Sequence, residues 1–114
     1  MKATAADRAR LEAEVQSLVA QLRAMGAVTI ILFGSLARGH ISLFSDIDLL
    51  VLFEEERPAR ELTRRVYEAI HTGEAVDILA YSLGDFEKRR ERPFFRKLLA
   101  EGKVLYERPE RPET

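Results

Sequence analysis

The chain has 114 residues, 46% of them hydrophobic and 32% charged, which is the length and balance of one globular domain and leaves no room for a second. It contains no cysteine, which excludes disulfides and thiolate metal sites, and its two histidines, His40 and His71, are too few for a His-rich zinc site, so a metal here must be held by oxygen. A net charge of −1 is not the footprint of a protein that tracks long nucleic acid by charge. No apolar run approaches the roughly 20 residues that span a bilayer, and the charged N-terminus lacks a signal-peptide core, so the expected location is the cytoplasm.

Thr4 followed by Asp7 reads as a capping arrangement at a helix start. Leu11, Val15, Leu18, Val19, Leu22 and Met25 recur at helical spacing and Gly26 suits the stop, which predicts an amphipathic helix from about Ala5 to Met25 packed on a core. Val28 to Phe33 is an unbroken apolar run and reads as a buried strand. Gly34-Ser35 breaks it, and Leu36 to Arg38 opens a short helix that ends by Gly39. Asp46 to Phe53 is the second strand, apolar on both faces apart from its two aspartates.

After a polar turn, Pro58 suits the first turn of a helix that runs to about His71 with Leu62, Val66, Tyr67 and Ile70 on one face. Ala75 to Tyr81 is a third strand, and Ser82 is a candidate N-cap with Asp85 at the third helical position. Residues Glu87 to Arg92 are nearly all charged and read as a solvated helix face. Phe94, Phe95, Leu98 and Leu99 supply a short apolar helix between Pro93 and Gly102, and Val104 to Tyr106 a last strand. These elements predict an α/β (α+β) fold, a small mixed sheet of about four strands flanked by helices. The expected boundaries are a single domain over 1–107 and a mobile tail over 108–114, where two Arg-Pro pairs stand without an apolar residue.

Three aspartates stand where apolar residues belong. Alternation puts Asp46 and Asp48 on the side of Leu50 and Leu52, and Asp77 interrupts the third strand in the same way. Aspartate is a poor strand former and an unpaired buried carboxylate is costly, so such a pair calls for compensating positive charge. If Asp77 comes from a neighbouring strand, three carboxylates converge at one end of the sheet and their repulsion raises at least one pKa unless a cation sits between them. Hard oxygen donors without Cys or His select Mg²⁺ or Mn²⁺. The plainer alternative is that the aspartates cap strands and pair with arginines such as Arg38. Against it stands Gly34-Ser35, directly after a buried strand: glycine permits close approach of backbone to a ligand, N–H groups at a helix start suit phosphate, and the serine hydroxyl can donate to the same oxygens.

Gly34-Ser35-Leu36-Ala37-Arg38-Gly39 followed by Ser45-Asp46-Ile47-Asp48-Leu49 resembles the Gly-Ser, ten residues, Asp-x-Asp signature of the DNA polymerase β-like nucleotidyltransferases. The short length points to the minimal nucleotidyltransferase branch, which includes antitoxins paired with HEPN-domain toxins. The resemblance implies the polymerase β-like fold and a role for each matched residue. Gly34 and Ser35 would hold the β- and γ-phosphates of a nucleoside triphosphate, with ATP favoured through the family alone. Asp46 and Asp48 would ligate Mg²⁺, and Asp77 would help ligate the catalytic metal and promote deprotonation of the acceptor hydroxyl. Arg38 could add a phosphate contact or pair with an aspartate; His40 and Ser42 are given no role.

Larger relatives carry a second domain that presents the acceptor, and this chain has no residues for one. The expectation is then that the acceptor hydroxyl arrives on another molecule, a HEPN-type toxin first, or a small molecule or nucleic acid end, or that the enzyme binds a partner to complete its site. Self-association as a homodimer is the other expected partnership. A second functional class is a non-catalytic nucleotide- or partner-binding antitoxin module, against which the retention of all three carboxylates weighs.

Overall fold

The computed structural model describes residues 3–40 and 46–109. Ser42 and Ser45, and the tail beyond Pro109, lie outside the described residues. The elements follow the expected order: α1 (Ala5–Ala24), β1 (Ala27–Phe33), α2 (Gly34–Ala37), β2 (Ile47–Phe53), α3 (Ala59–Ala69), β3 (Val76–Ser82), α4 (Leu83–Arg89), α5 (Pro93–Glu101) and β4 (Lys103–Glu107). The four strands make one mixed sheet in the order β3-β2-β1-β4, with β1 antiparallel to both β2 and β4, and β2 parallel to β3. None of the described helices is long and apolar enough to cross a membrane.

α1 begins with a complete capping box: the Thr4 hydroxyl accepts from the Asp7 backbone N–H at 3.2 Å, and the Asp7 carboxylate accepts from the Thr4 backbone N–H at 2.8 Å. It ends where Gly26 takes φ +101°, a conformation that costs glycine little. Between these signals Leu11, Val15, Leu18, Val19 and Leu22 are buried on one face.

Strand alternation then divides the core in two. Ile47, Leu49, Val51 and Phe53 of β2 join Ile30 and Leu32 of β1 and Ile78 and Ala80 of β3 under α1 and α3. Leu50 and Leu52, with Val28 and Ile31, turn to the opposite face, where Phe86 of α4 and Phe95 and Leu98 of α5 cover them. Burial of β2 on both faces explains its nearly unbroken apolar run.

β3 is an edge strand, and α3 lies along it. The Tyr67 hydroxyl accepts from the Ile78 N–H at 2.8 Å, and Thr63 Oγ1 accepts from the Ala80 N–H at 3.4 Å, so side chains of α3 occupy donors that would otherwise face open water. The segment leading into β3 is tied back to α1, because Gln21 exchanges two hydrogen bonds with the His71 backbone and Arg10 meets Glu74 at 2.7 Å.

Several element boundaries differ from the sequence reading by one or two residues. α2 starts at Gly34 itself rather than at Leu36, β2 starts at Ile47 rather than at Asp46, and α3 stops at Ala69 rather than near His71. At the other end, Arg108 is held: its N–H donates to the Val28 carbonyl at 2.8 Å, continuing the β1–β4 pairing, and its guanidinium meets Glu54 at 2.8 Å.

Candidate active site

The site is assembled where β1 ends and β2 and β3 begin. Asp48 is the cross-strand partner of Phe33, the last residue of β1, and it lies in register with Asp77 on the parallel β3. Side chains on one face of paired strands stand about 5 Å apart at Cβ, so Phe33, Asp48 and Asp77 form a row across one end of the sheet. Alternation places that row on the face of α4 and α5, in line with Leu50 and Leu79. Asp46, exposed, precedes the strand by one residue.

Gly34 closes the row from the β1 side. Its φ of +74° is left-handed, and a Cβ built on it would overlap Asp48 Oδ2 and lie 3.1 Å from the carboxyl carbon. The aspartate therefore uses the space that any side chain at position 34 would take. This turns the chain directly into α2, whose first-turn N–H groups have no partner within the helix. α2 lasts only four residues and ends before Gly39, at φ +80°, with the His40 N–H donating back to the Ser35 carbonyl at 2.9 Å. Ser35, half-buried, is in its first turn.

The electrostatics follow from this crowding. Burial pushes the Asp48 carboxyl above the ordinary carboxylate range, and the negative charges of Asp77 and Asp46 push in the same direction, while Arg38 works against them. Arg38 is in ion-pair contact with Glu101 of α5, at 3.4 Å, so its electrostatic pull on Asp48 acts from outside a direct pairing of the two.

Whether the residues fit a divalent cation is decided by the donor set. The acidic groups offer only hard carboxylate oxygen, and the charge accumulated around Asp48 is what a cation would relieve. Among the described residues no three Asp, Glu, His or Cys side chains are gathered into a ready-made metal cluster. Mg²⁺ does not require one, since it binds through one or two carboxylates and fills its octahedron with water and substrate phosphate oxygens. The pair Asp48 and Asp77, with Asp46 two residues before Asp48, fits that mode.

Two features of this neighbourhood were not drawn from the sequence. Phe94 of α5 lies edge-on to Phe33 with ring centroids 6.3 Å apart, and Glu101 reaches Arg38 from the other end of the same helix. The contacts join residues 61 and 63 positions apart, and the pattern of Phe94 and Phe95 reads only as core packing.

The family described as polymerase beta nucleotidyltransferase matches residues 16–111. The chain belongs to that nucleotidyltransferase family. Its fold is similar to a candidate nucleotidyltransferase from Sulfolobus solfataricus, with a TM-score of 0.65, 22% identity, and coverage of 94% of this chain and 91% of the other. It is similar also to a candidate minimal nucleotidyltransferase, with a TM-score of 0.57, 31% identity, and coverage of 83% and 92%. A toxin–antitoxin structure with AMP-PNP shares the fold at a TM-score of 0.55 and 23% identity, over 81% of this chain and 72% of that one. No curated protein matches the chain significantly.

Proposed function

We propose that this chain is a Mg²⁺-dependent nucleotidyltransferase that moves AMP from ATP to a hydroxyl on a separate molecule, with a HEPN-type toxin as the first acceptor to test. The observation that carries this reading is the packing of Gly34 onto the Asp48 carboxylate with Asp77 in register beside it. It sets a turn of the kind that suits phosphate against the Asp48 carboxylate, with Asp77 one strand further on, within a chain that belongs to the family. The likeness to a toxin–antitoxin structure with AMP-PNP supports both the adenine nucleotide and the protein partner as first choices.

In the proposed reaction the acceptor oxygen attacks the α-phosphorus, a new P–O bond forms, the bond to the β-phosphate bridging oxygen breaks, and pyrophosphate leaves. Gly34 and Ser35 hold the β- and γ-phosphates through backbone N–H groups and the hydroxyl. Asp46, Asp48 and Asp77 would hold the metal, which when bound screens the phosphate charge and stabilises the leaving oxygen. Asp77, exposed at the start of β3, accepts the acceptor's proton directly or through water. Arg38 adds positive charge at the rim from its position against Glu101.

The test is incubation of the full chain with Mg²⁺ and α-labelled ATP in an extract of its source cells, beside an Asp46→Asn, Asp48→Asn variant. Label that enters a protein band only with the parent chain supports the reading. Label in the nucleic acid or small-molecule fraction keeps the transfer and replaces the acceptor. No label with any of the four nucleotides, in Mg²⁺ or Mn²⁺, overturns it in favour of the binding-module reading.

A further inference from the structure

Among the described residues, the most exposed large apolar side chain is Phe94, at 55%. Its neighbour Phe95 is the one that fills the core, with ring centroids 5.6 Å from both Tyr81 and Phe86. Phe94 stands on that fixed cluster, 5.1 Å from Phe95 and perpendicular to it, and meets Phe33 edge-on at 6.3 Å. The ring is thus braced on two sides while more than half of its residue surface faces water. Its location is equally specific. Phe33 is the cross-strand partner of Asp48 and the residue before Gly34. Seven positions along α5, two turns on and so on the same helix face, Glu101 meets Arg38 just after α2. One face of α5 is therefore laid along the glycine turn from end to end.

We infer that Phe94 is the nucleobase platform of this site, a specificity-determining residue that stacks the base of the triphosphate; the inference rests on the nucleotidyltransfer reading above. A triphosphate held at Gly34 and Asp48 carries one aromatic group, and a braced, water-exposed ring at the rim of the phosphate site is the complementary surface. Base–aromatic stacking is tolerant, because every base has a π-face. The platform favours purines over pyrimidines by stacking area and chooses weakly between adenine and guanine.

The chain contains no tryptophan, which makes a single introduced indole a clean reporter. The experiment measures binding of ATP and of inorganic tripolyphosphate, each with Mg²⁺, to the full chain and to Phe94→Ala and Phe94→Trp. Phe94→Ala should weaken ATP about ten-fold, equivalent to about 1.4 kcal/mol, and leave tripolyphosphate unchanged. Phe94→Trp should keep ATP affinity, and its fluorescence should be quenched by ATP and not by tripolyphosphate. Equal effects on both ligands, or none on either, would overturn the platform while leaving nucleotide binding intact. Loss of a protein partner with ATP affinity unchanged would reassign the ring to partner docking. A parent chain that binds neither ligand and transfers no label would overturn the nucleotidyltransfer reading and the platform together.

Discussion

At position 34 two constraints act on one residue. The backbone is left-handed, which costs an L side chain roughly 1–2 kcal/mol, and the space a Cβ needs belongs to the Asp48 carboxylate. Gly34→Ala should therefore displace Asp48 as well as strain the turn. Since a misplacement of about 1 Å can cost on the order of a hundred-fold in rate, transfer should fall by about that factor, while the strain lowers the melting temperature by roughly 4–8 °C. Asp48→Asn has the opposite balance. Removing a charge repelled by Asp77 and Asp46 should leave the chain at least as stable as the parent at pH 7, yet abolish transfer by on the order of a thousand-fold or more. The pH dependence follows with its sign. The folded chain raises the Asp48 pKa, so the native state holds that proton more tightly than the unfolded chain, and this group's contribution to stability grows as pH falls through its folded pKa. The stability gap between Asp48→Asn and the parent should therefore narrow on acidification, which melting curves across pH would read directly. Asp7 behaves in reverse. Hydrogen bonds from Thr4 hold its carboxyl below the ordinary range, so its stabilisation is present above that range and is lost as pH falls through the lowered value.

Among the elements, those bounded by local chemistry were the ones legible in the sequence. α1 could be read because Thr4, Asp7 and Gly26 mark its ends with groups that act within a few residues of themselves. Ser82 capping Asp85 at 3.1 Å is another such signal. Thr4→Ala tests how far that local chemistry matters. It should cost about 1 kcal/mol, visible as a lower denaturant midpoint with an unchanged slope. What could not be read is what depends on pairing at a distance. Nothing in Val104 to Tyr106 says that the last strand lies beside β1 rather than β3, and the ion pair of Arg38 with Glu101 exists only because that placement brings α5 over α2. The site divides along the same line. Gly34-Ser35 and Asp46-x-Asp48 form a linear signature, whereas Asp77 was tied to them only on condition that its strand neighbours β2. The parallel register Asp48↔Asp77 meets that condition. Phe94 carries no linear signal at all, because an exposed aromatic and a core aromatic look alike in sequence until the helix is docked.

For the whole molecule, the same acidic row that lowers stability in isolation should make stability depend on ligand. Three aspartates near one end of the sheet oppose the compact state through their charge, which Arg38 offsets only in part, since the Asp48 carboxyl still stands above its ordinary range. A ligand that binds only the folded chain stabilises it by RT ln(1 + [L]/Kd), about 2.7 kcal/mol at a hundred-fold excess over Kd. For a domain of this size that corresponds to a rise in melting temperature on the order of 10 °C. Mg²⁺ with ATP should produce such a rise and ATP with EDTA should produce much less, because without a cation the triphosphate adds charge beside Asp48. The Asp46→Asn, Asp48→Asn variant supplies the control: it should start no less stable than the parent and respond weakly to Mg²⁺ and ATP. A parent melting temperature that rises equally with and without Mg²⁺ would place the nucleotide away from the carboxylates and separate binding from the transfer chemistry assigned to them.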